Sequence, residues 1–302
     1  MTHWPKITIA IPTFNEADCI DACLQSIFKQ KYPGQLEVFV IDDNSTDNTV
    51  TKTRKYPVRI LVNGKRDLLY GKKIGLDQAT GEYFMYLDAD IQLCGQYWFN
   101  KMLAPLLADK SIIASFTKYV TFSSDSALNK YITLDFLQRD PLFTWLTPSL
   151  AQVVVNKRKE WEICNYTLKN MLPTGLCLYR RNSLVEIIGK RQKFLELDAI
   201  VLLVKRGYTR FAYVPNAGMH HPFITSLSEL AFKRSRNLHT MYFNQPEVRE
   251  WTWIDWHNPY QFLKLLIWVI YANSLIFPTL VGIGKSIYYQ TWVGLYEPVF
   301  VW

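Results

Sequence analysis

The sequence predicts an α/β fold: a mostly parallel sheet flanked by helices, followed by hydrophobic helices associated with a membrane. Three observations predict it. Short apolar runs alternate with amphipathic helical patterns through roughly the first 120 residues, as in strands joined by helical crossovers. Polar, acid-rich loops follow three of these runs. The last 41 residues, Phe262–Trp302, carry only Lys264, Lys285 and Glu297 as charges.

In chain order, Ile7–Ile11 (ITIAI) reads as a buried strand. Glu16–Gln30 places Ile20, Leu24, Ile27 and Phe28 on one face and reads as a helix. Leu36–Ile41 is the next strand, Asp47–Lys55 a short helix and Val58–Val62 a strand. Lys72–Ala79 reads as a helix and Tyr83–Leu87 (YFMYL) as a strand. Residues 121–172 are less regular and rich in aromatic and basic side chains. Pattern returns with a strand at Leu176–Tyr179, a helix at Glu196–Arg206 and a strand at Phe211–Val214. Phe262–Ile283 approaches the roughly 20 residues that a bilayer requires. Asn273 and Pro278 interrupt it, so a spanning helix, one lying in or re-entering the membrane, and a buried helix of a soluble fold all fit. Trp251, Trp253, Trp256 and Tyr260 precede it, as aromatics do at membrane interfaces. The expected division is an α/β domain over 1–225, with halves of about 1–120 and 121–225, and a basic, aromatic and membrane-associated region over 226–302.

The 302 residues are 49% hydrophobic and 20% charged, which excludes a disordered chain and leaves no need for disulfide staples. The five cysteines stand at 19, 23, 94, 164 and 177 with no CxxC, which points to a reducing compartment and no zinc site. Cys19 and Cys23, on a predicted helix, read as core residues. The start, MTHWPKITIAIP, lacks the apolar run of a signal peptide. The net charge of +8 is uneven: Val155–Lys193 holds nine Lys/Arg against three Asp/Glu, and Lys233, Arg234 and Arg236 form a second knot. Such patches attract anionic lipids or sugar phosphates. No nucleic-acid-binding module accompanies them, so nucleic acid is not an expected partner. Gly282-Ile283-Gly284-Lys285-Ser286 ends like a phosphate loop, but Thr279 stands where that loop needs Gly and no strand precedes it.

The chemistry is expected beyond the carboxyl ends of the strands, where sheets of this kind bind ligands. Pro12-Thr13-Phe14-Asn15-Glu16, Asp42-Asp43-Asn44-Ser45 and Asp88-Ala89-Asp90 each follow a predicted strand and would converge there. Converging carboxylates are electrostatically costly unless a cation is bound. Oxygen ligands suit Mg²⁺ or Mn²⁺, which commonly work with substrate phosphates, so the crevice reads as a site for a metal-bound nucleotide diphosphate.

These segments, with Gly71-Lys72-Lys73-Ile74-Gly75-Leu76 and Ala79-Thr80-Gly81-Glu82-Tyr83 leading to Asp88–Asp90, resemble glycosyltransferase family 2 over about residues 6–225. The resemblance implies the GT-A fold, a Rossmann-like nucleotide-diphospho-sugar transferase architecture, and an inverting transferase using a UDP-sugar donor and a divalent metal. It implies that Pro12, Thr13, Phe14 and Glu16 line the base and ribose, with Asp42 and Asp43 bonding them. Lys72, where the family often has Arg, would touch the donor phosphates. Asp88, beside Ala89, would bind ribose or sugar, and Asp90 would ligate the metal. Pro215–His221 resembles the family segment that ends in a metal-binding His, and its spacing favours His221 over His220. The family base is an Asp in a Glu-Asp pair about eleven residues before a Gly-Tyr; counting back from Gly207-Tyr208 gives Glu196. Here the text is Leu195-Glu196-Leu197-Asp198, so the pair is broken, the base would be Glu196, and Asp198 is the second candidate. Both acids also suit a helix start. Gly175 matches a family Gly beside the substrates, and Arg236 sits in a segment only partly similar to the QxxRW motif of processive synthases.

The expected enzyme works at the cytoplasmic face of a membrane on a lipid-linked saccharide. A polyprenyl-phosphate glycosyltransferase is the near alternative, since an ionised phosphate acceptor needs no base. A sugar nucleotidyltransferase and a non-catalytic membrane scaffold are alternatives from other classes.

Overall fold

The structure, a computed structural model, describes residues 4–174, 176–239, 249–252, 254–255 and 257–302. Gly175, Trp253 and Trp256 lie outside the described residues. The chain divides into two units, Met1–Lys118 with Leu150–His221, and Tyr119–Ser149 with Pro222–Trp302. Residues 119–149, expected inside the α/β domain, therefore belong with the C-terminal region.

In the first unit, β1 (Ile7–Thr13) is buried along its whole length. It lies between β2 (Leu36–Asp42) and β4 (Tyr83–Tyr86) and is parallel to both. A strand covered on both faces has no polar side to show, which explains the unbroken run ITIAI. β3 (Arg59–Val62) extends β2 in parallel. β6 (Ile112–Phe116), β8 (Val154–Lys157), β9 (Glu162–Asn165), β10 (Leu178–Arg180) and β11 (Arg210–Tyr213) complete a nine-stranded sheet of order β3-β2-β1-β4-β10-β6-β11-β9-β8. The expected mostly parallel sheet is corrected here: β10 runs antiparallel to β4 and to β6, and β9 antiparallel to β11 and to β8. Side-chain periodicity carries no information on strand direction. A separate ladder pairs β5 (Gln92–Leu93) antiparallel with β12 (Met219–His220).

The helices of this unit are α1 (Ile20–Phe28), α2 (Thr49–Thr53), α3 (Leu68–Gln78), α4 (Trp98–Ala108), α7 (Leu150–Val153), α8 (Arg181–Ile188) and α9 (Glu196–Lys205). α1 starts later than expected because Glu16 opens a turn, with its carbonyl accepting from the Cys19 and Ile20 amides. α3 starts earlier than expected because Asp67 Oδ1 accepts from the Leu69 and Tyr70 amides, satisfying two orphan donors of the first turn.

The second unit holds β7 (Tyr119–Val120), α5 (Ala127–Ile132), α6 (Pro141–Leu146), α10 (Leu227–Leu238), α11 (Pro259–Asn273), α12 (Ile276–Tyr288), a 3-10 helix at Trp292–Tyr296 and α13 (Glu297–Val301). Leu128, Tyr131, Ile132, Ile224, Leu230, Val293 and Phe300 form its core. Within it Glu297, only 2% exposed, accepts from the Tyr131 and Tyr271 hydroxyls and pairs with Lys285. Phe262–Ile283 is not one helix. Pro278 has no amide hydrogen to return to the Ser274 carbonyl, Ser274 is extended, and α11 and α12 meet at 89°. No single described helix is long and apolar enough to cross a membrane; the bent pair reaches that length only together. Both helices present bare apolar side chains, among them Leu266, Ile270, Phe277, Leu280 and Ile287.

Candidate active site

Parallel pairing puts the ends of β1, β2 and β4 side by side. Thr13 is in register with Asp42, and the Asp43 amide continues the ladder to the Thr13 carbonyl at 2.9 Å. The loops after these strands are then stitched together. The Asn15 amide donates to Ser45 Oγ at 2.9 Å, and Asn15 Oδ1 accepts from the Thr46 amide at 2.8 Å. The Glu16 amide donates to Thr49 Oγ1 and the Ala17 amide to Asp47 Oδ2. Asn15 and Asn44 take positive φ (54° and 59°), which asparagine tolerates better than most residues. The Pro12–Glu16 and Asp42–Ser45 segments thus form one rigid rim.

Asp42 Oδ2 accepts from the Ser45 amide, while its buried Oδ1 has no hydrogen-bond partner among the described residues. Asp43 Oδ1 accepts from the Arg66 amide at 2.7 Å, which ties the loop before α3 to the rim. The Arg66 guanidinium stands 5.6 Å from the centre of the Phe14 ring, which is half exposed. Phe14 and Arg66 together offer a flat, cationic platform of the kind a nucleobase stacks on.

β4 delivers Asp88, buried Ala89 and Asp90. Asp90 is met by His221: its Oδ2 lies 3.4 Å from His221 Nε2. The β5/β12 ladder sets this pair, with His220 opposite Gln92 and Met219 opposite Leu93, so Asp90 and His221 leave neighbouring ends of one ladder. His220 is buried in that ladder, and successive strand side chains point to opposite faces. The two histidines are thereby separated, with His221 beside Asp90. Among the described residues no three His, Cys, Asp or Glu side chains gather to hold a metal by themselves.

Lys72 and Glu196 meet at the base of the site. Lys72, from α3, contacts Glu196 Oε1, lies 3.7 Å from Asp88 Oδ1 and sits 4.0 Å over the Tyr86 ring. Its side chain is 2% exposed, against 22% for Glu196 and 38% for Asp88. Burial works against the charge on Glu196, but the Lys72 ammonium, the residue's own backbone amide and the Tyr86 hydroxyl outweigh it and hold the carboxyl below its ordinary range. Burial likewise works against the Lys72 ammonium, and Asp88 and Glu196 overcome it and raise its pKa. For Asp88 burial wins, and its carboxyl is pushed up despite Lys72. Asp198, in the first turn of α9, is buried.

Residues 8–184, more than half of the chain, match the family described as Glycosyl transferase family 2. The chain belongs to glycosyltransferase family 2. An N-acetylglucosaminyltransferase of Rhizobium meliloti is 25% identical to it over 238 residues, 70% of this chain and 50% of the relative. A GalNAc(5)-diNAcBac-PP-undecaprenol beta-1,3-glucosyltransferase of Campylobacter jejuni is 38% identical over 96 residues, 30% of this chain and 31% of the relative. The family 2 chain thus spans about half the length, or less, of these curated relatives. Among solved structures, the mannosyltransferase PcManGT of Pyrobaculum calidifontis, in complex with GDP-Man and Mn²⁺, superposes with a TM-score of 0.53 at 19% identity, covering 99% of this chain and 86% of that one. It shares the GT-A-type α/β fold.

Of the site residues expected from this family 2 sequence, the structure groups Pro12, Thr13, Phe14, Glu16, Asp42 and Asp43 on one rim, Asp90 with His221, and Lys72 with Asp88 and Glu196. Gly175 lies outside the described residues. Arg236 is carried by α10 of the second unit. Tyr86 and Arg66 were not singled out: Tyr86 is hidden in the all-apolar strand YFMY, and Arg66 lies in a loop without a pattern. The basic patches are partly consumed by structure. Arg180 and Arg181 hold the Ile112 and Gly81 carbonyls, and Lys193 pairs with Asp67. Lys233 pairs with Glu229, and Arg234 with Asp140.

Proposed function

We propose that the chain moves a sugar from a nucleotide-sugar donor, a UDP-sugar first among candidates, to a hydroxyl of a membrane-bound acceptor such as a lipid-linked saccharide, with inversion at the anomeric carbon. The observation that carries the reading is the convergence of Asp88, Lys72 and Glu196 after β4, in a chain whose Asp90 and His221 stand together at the same loop. The carboxylate oxygen suits Mn²⁺ or Mg²⁺ and the imidazole nitrogen favours Mn²⁺ of the two, with the other positions left to water and donor phosphates. Bound between Asp90 and His221, the ion would neutralise charge on the departing diphosphate.

The chain's own residues do the rest. The Phe14–Arg66 platform and the Asp42/Asp43 rim take the nucleoside. Asp88 bonds ribose or sugar hydroxyls. Glu196, ionised at neutral pH, accepts the acceptor hydroxyl's proton as its oxygen bonds to the anomeric carbon and the bond to the diphosphate oxygen breaks. In-line displacement inverts that carbon and needs one base only. The bare apolar faces of α11 and α12 lie against the lipid in which the acceptor is anchored, on the cytoplasmic side.

One observation favours a second reading. Glu196 is already neutralised by Lys72, and a polyprenyl phosphate, being ionised, would need no base. The test is nucleotide release from a panel of UDP-, GDP- and dTDP-sugars, with Mn²⁺ or EDTA, on nanodiscs bearing hydroxyl or phosphate acceptors. Nucleoside diphosphate released only with metal and a hydroxyl acceptor supports the proposal. Release of pyrophosphate, or of nothing, sinks it.

A further inference from the structure

Lys72 is too well buried for the role its position suggests. Two glycines put it there. A Cβ on Gly75 would stand 2.3 Å from Ala10 Cβ, and one on Gly71 would stand 3.2 Å from Pro12 Cβ, so α3 presses directly on β1 at both turns flanking Lys72. The lysine stem is trapped beneath the sheet end, and its ammonium emerges under two carboxylates. Those carboxylates reach solvent and the ammonium does not. A phosphate arriving from solvent meets Asp88 and Glu196 first, and both repel it. To touch Nζ it would have to displace Glu196 and strip a buried cation of its partner, which is costly.

We infer that Lys72 is a positioning residue for Glu196, and not a ligand of the donor phosphates. This rests on reading Glu196 as the base. The groups facing Glu196 are Lys72 from α3, the Tyr86 hydroxyl and Asp88 from the β4 end, Tyr179 from β10, and its own amide at the start of α9. Lys72 is the only cation among these. It keeps Glu196 a carboxylate in a site whose burial favours the neutral acid, and it holds the Oε1 oxygen in place. It also joins the acceptor side of the site, carried by α9, to the donor side after β4. The small residues at 71 and 75 and the lysine at 72 thus work as one device.

The experiment uses the full chain in nanodiscs. UDP and GDP with Mn²⁺ serve as binding probes, and nucleotide release from the donor selected above gives turnover. Lys72→Met is expected to lower kcat by about 10–10²-fold and to leave nucleotide Kd within about threefold. It should also move the acidic limb of the kcat–pH profile upward by about one unit or more, because burial then acts on Glu196 unopposed. Lys72→Arg should restore most of the limb. Lys72→Met/Glu196→Gln removes both charges of the Lys72–Glu196 pair, so it tests the idea even where the single variant fails to fold. Its nucleotide Kd should match that of Glu196→Gln. A tenfold weaker Kd in either Lys72→Met background, or an unmoved acidic limb, overturns the inference. Full turnover in Glu196→Gln overturns the base reading itself, a different outcome from a crippled Glu196→Gln alongside an unshifted Lys72→Met.

Discussion

His221 Nε2 lies 3.4 Å from Asp90 Oδ2, although 130 residues of chain separate the β4 loop from the end of β12. The short β5/β12 ladder brings them together, so the pair is part of the framework and is not left to a mobile loop. Asp90→Ala and His221→Ala should each cut metal-dependent turnover by at least about 10²-fold, on the scale of losing one charge-stabilising group. Secondary structure by circular dichroism should be unchanged. EDTA should silence the wild type in the same assay, and turnover of Asp90→Ala at the wild-type rate with EDTA present would refute a metal at this pair.

Glu196→Gln keeps shape and hydrogen bonding but cannot accept a proton. Turnover with a hydroxyl acceptor should fall about 10²–10⁴-fold while nucleotide affinity persists. Asp198→Asn, at a buried position two residues further along α9, should be far milder. The reverse pattern would move the base to Asp198, and two active variants would favour a phosphate acceptor.

The bare faces of α11 and α12 can be tested without truncation. Deletion from about residue 245 would also remove Val293 and Phe300 from the second core and so confuse unfolding with loss of membrane contact. Ile270→Asp and Phe277→Asp change exposed side chains only. Each should weaken binding to phosphatidylcholine/phosphatidylglycerol vesicles in flotation, with Tm moved little. Wild-type flotation by both variants would argue against lipid contact.

Glu37, at the start of β2, joins three neighbours, pairing with Lys6 at 2.8 Å and accepting from Thr8 and Thr80. Burial raises its pKa, but these bonds overcome that and bring the carboxyl down to about 2. Its folded pKa is therefore below its unfolded one. Its contribution to stability is complete above the unfolded value and is lost as pH falls toward about 2. Glu37→Gln should lower urea midpoints at pH 6 and flatten their decline between pH 5 and 2. An equally steep decline in the variant would dismiss this linkage.

Gly75 gives a packing test independent of chemistry. An added methyl would overlap Ala10 Cβ at 2.3 Å, so α3 must lift from β1. Gly75→Ala should destabilise by about 1–3 kcal/mol despite its better helix propensity. Chemical denaturation reads this directly, and a stabilised variant would contradict the contact.

The first 120 residues were legible because their signals are local. Strands buried on both faces appear as apolar runs, and the polar loops after them are contiguous in sequence, so Asp43, Asp88 and Asp90 are visible as a set. Other features depend on distant parts of the chain. Nothing near Lys72 announces Glu196, since their contact is made by α3 and α9 docking on the same sheet end. Strand direction was hidden for the same reason: Leu178–Arg180 reads alike whether it runs parallel or antiparallel to β4. The break between α11 and α12 was half visible, as Pro278 marks the lost hydrogen bond but not the angle that follows. Grouping 119–149 with the C-terminal region follows from Leu128, Tyr131 and Ile132 sharing a core with Val293 and Phe300, which spacing does not encode.

The insertion of β10 between β4 and β6 also governs how the protein can be made. Tyr179 pairs with Phe84 on one side and Ala114 on the other, so neither neighbour is complete until about residue 180 has left the ribosome. During synthesis the part of the sheet built from β1 to β6 waits with two strand edges open, exposed to intermolecular pairing for several seconds at ordinary elongation rates of about 5–20 residues per second. Closure then depends on contacts distant in sequence, the kind that fold slowly. Slowed translation before residue 180, or loss of holdase chaperones, should therefore reduce soluble yield more than equivalent stress applied after it.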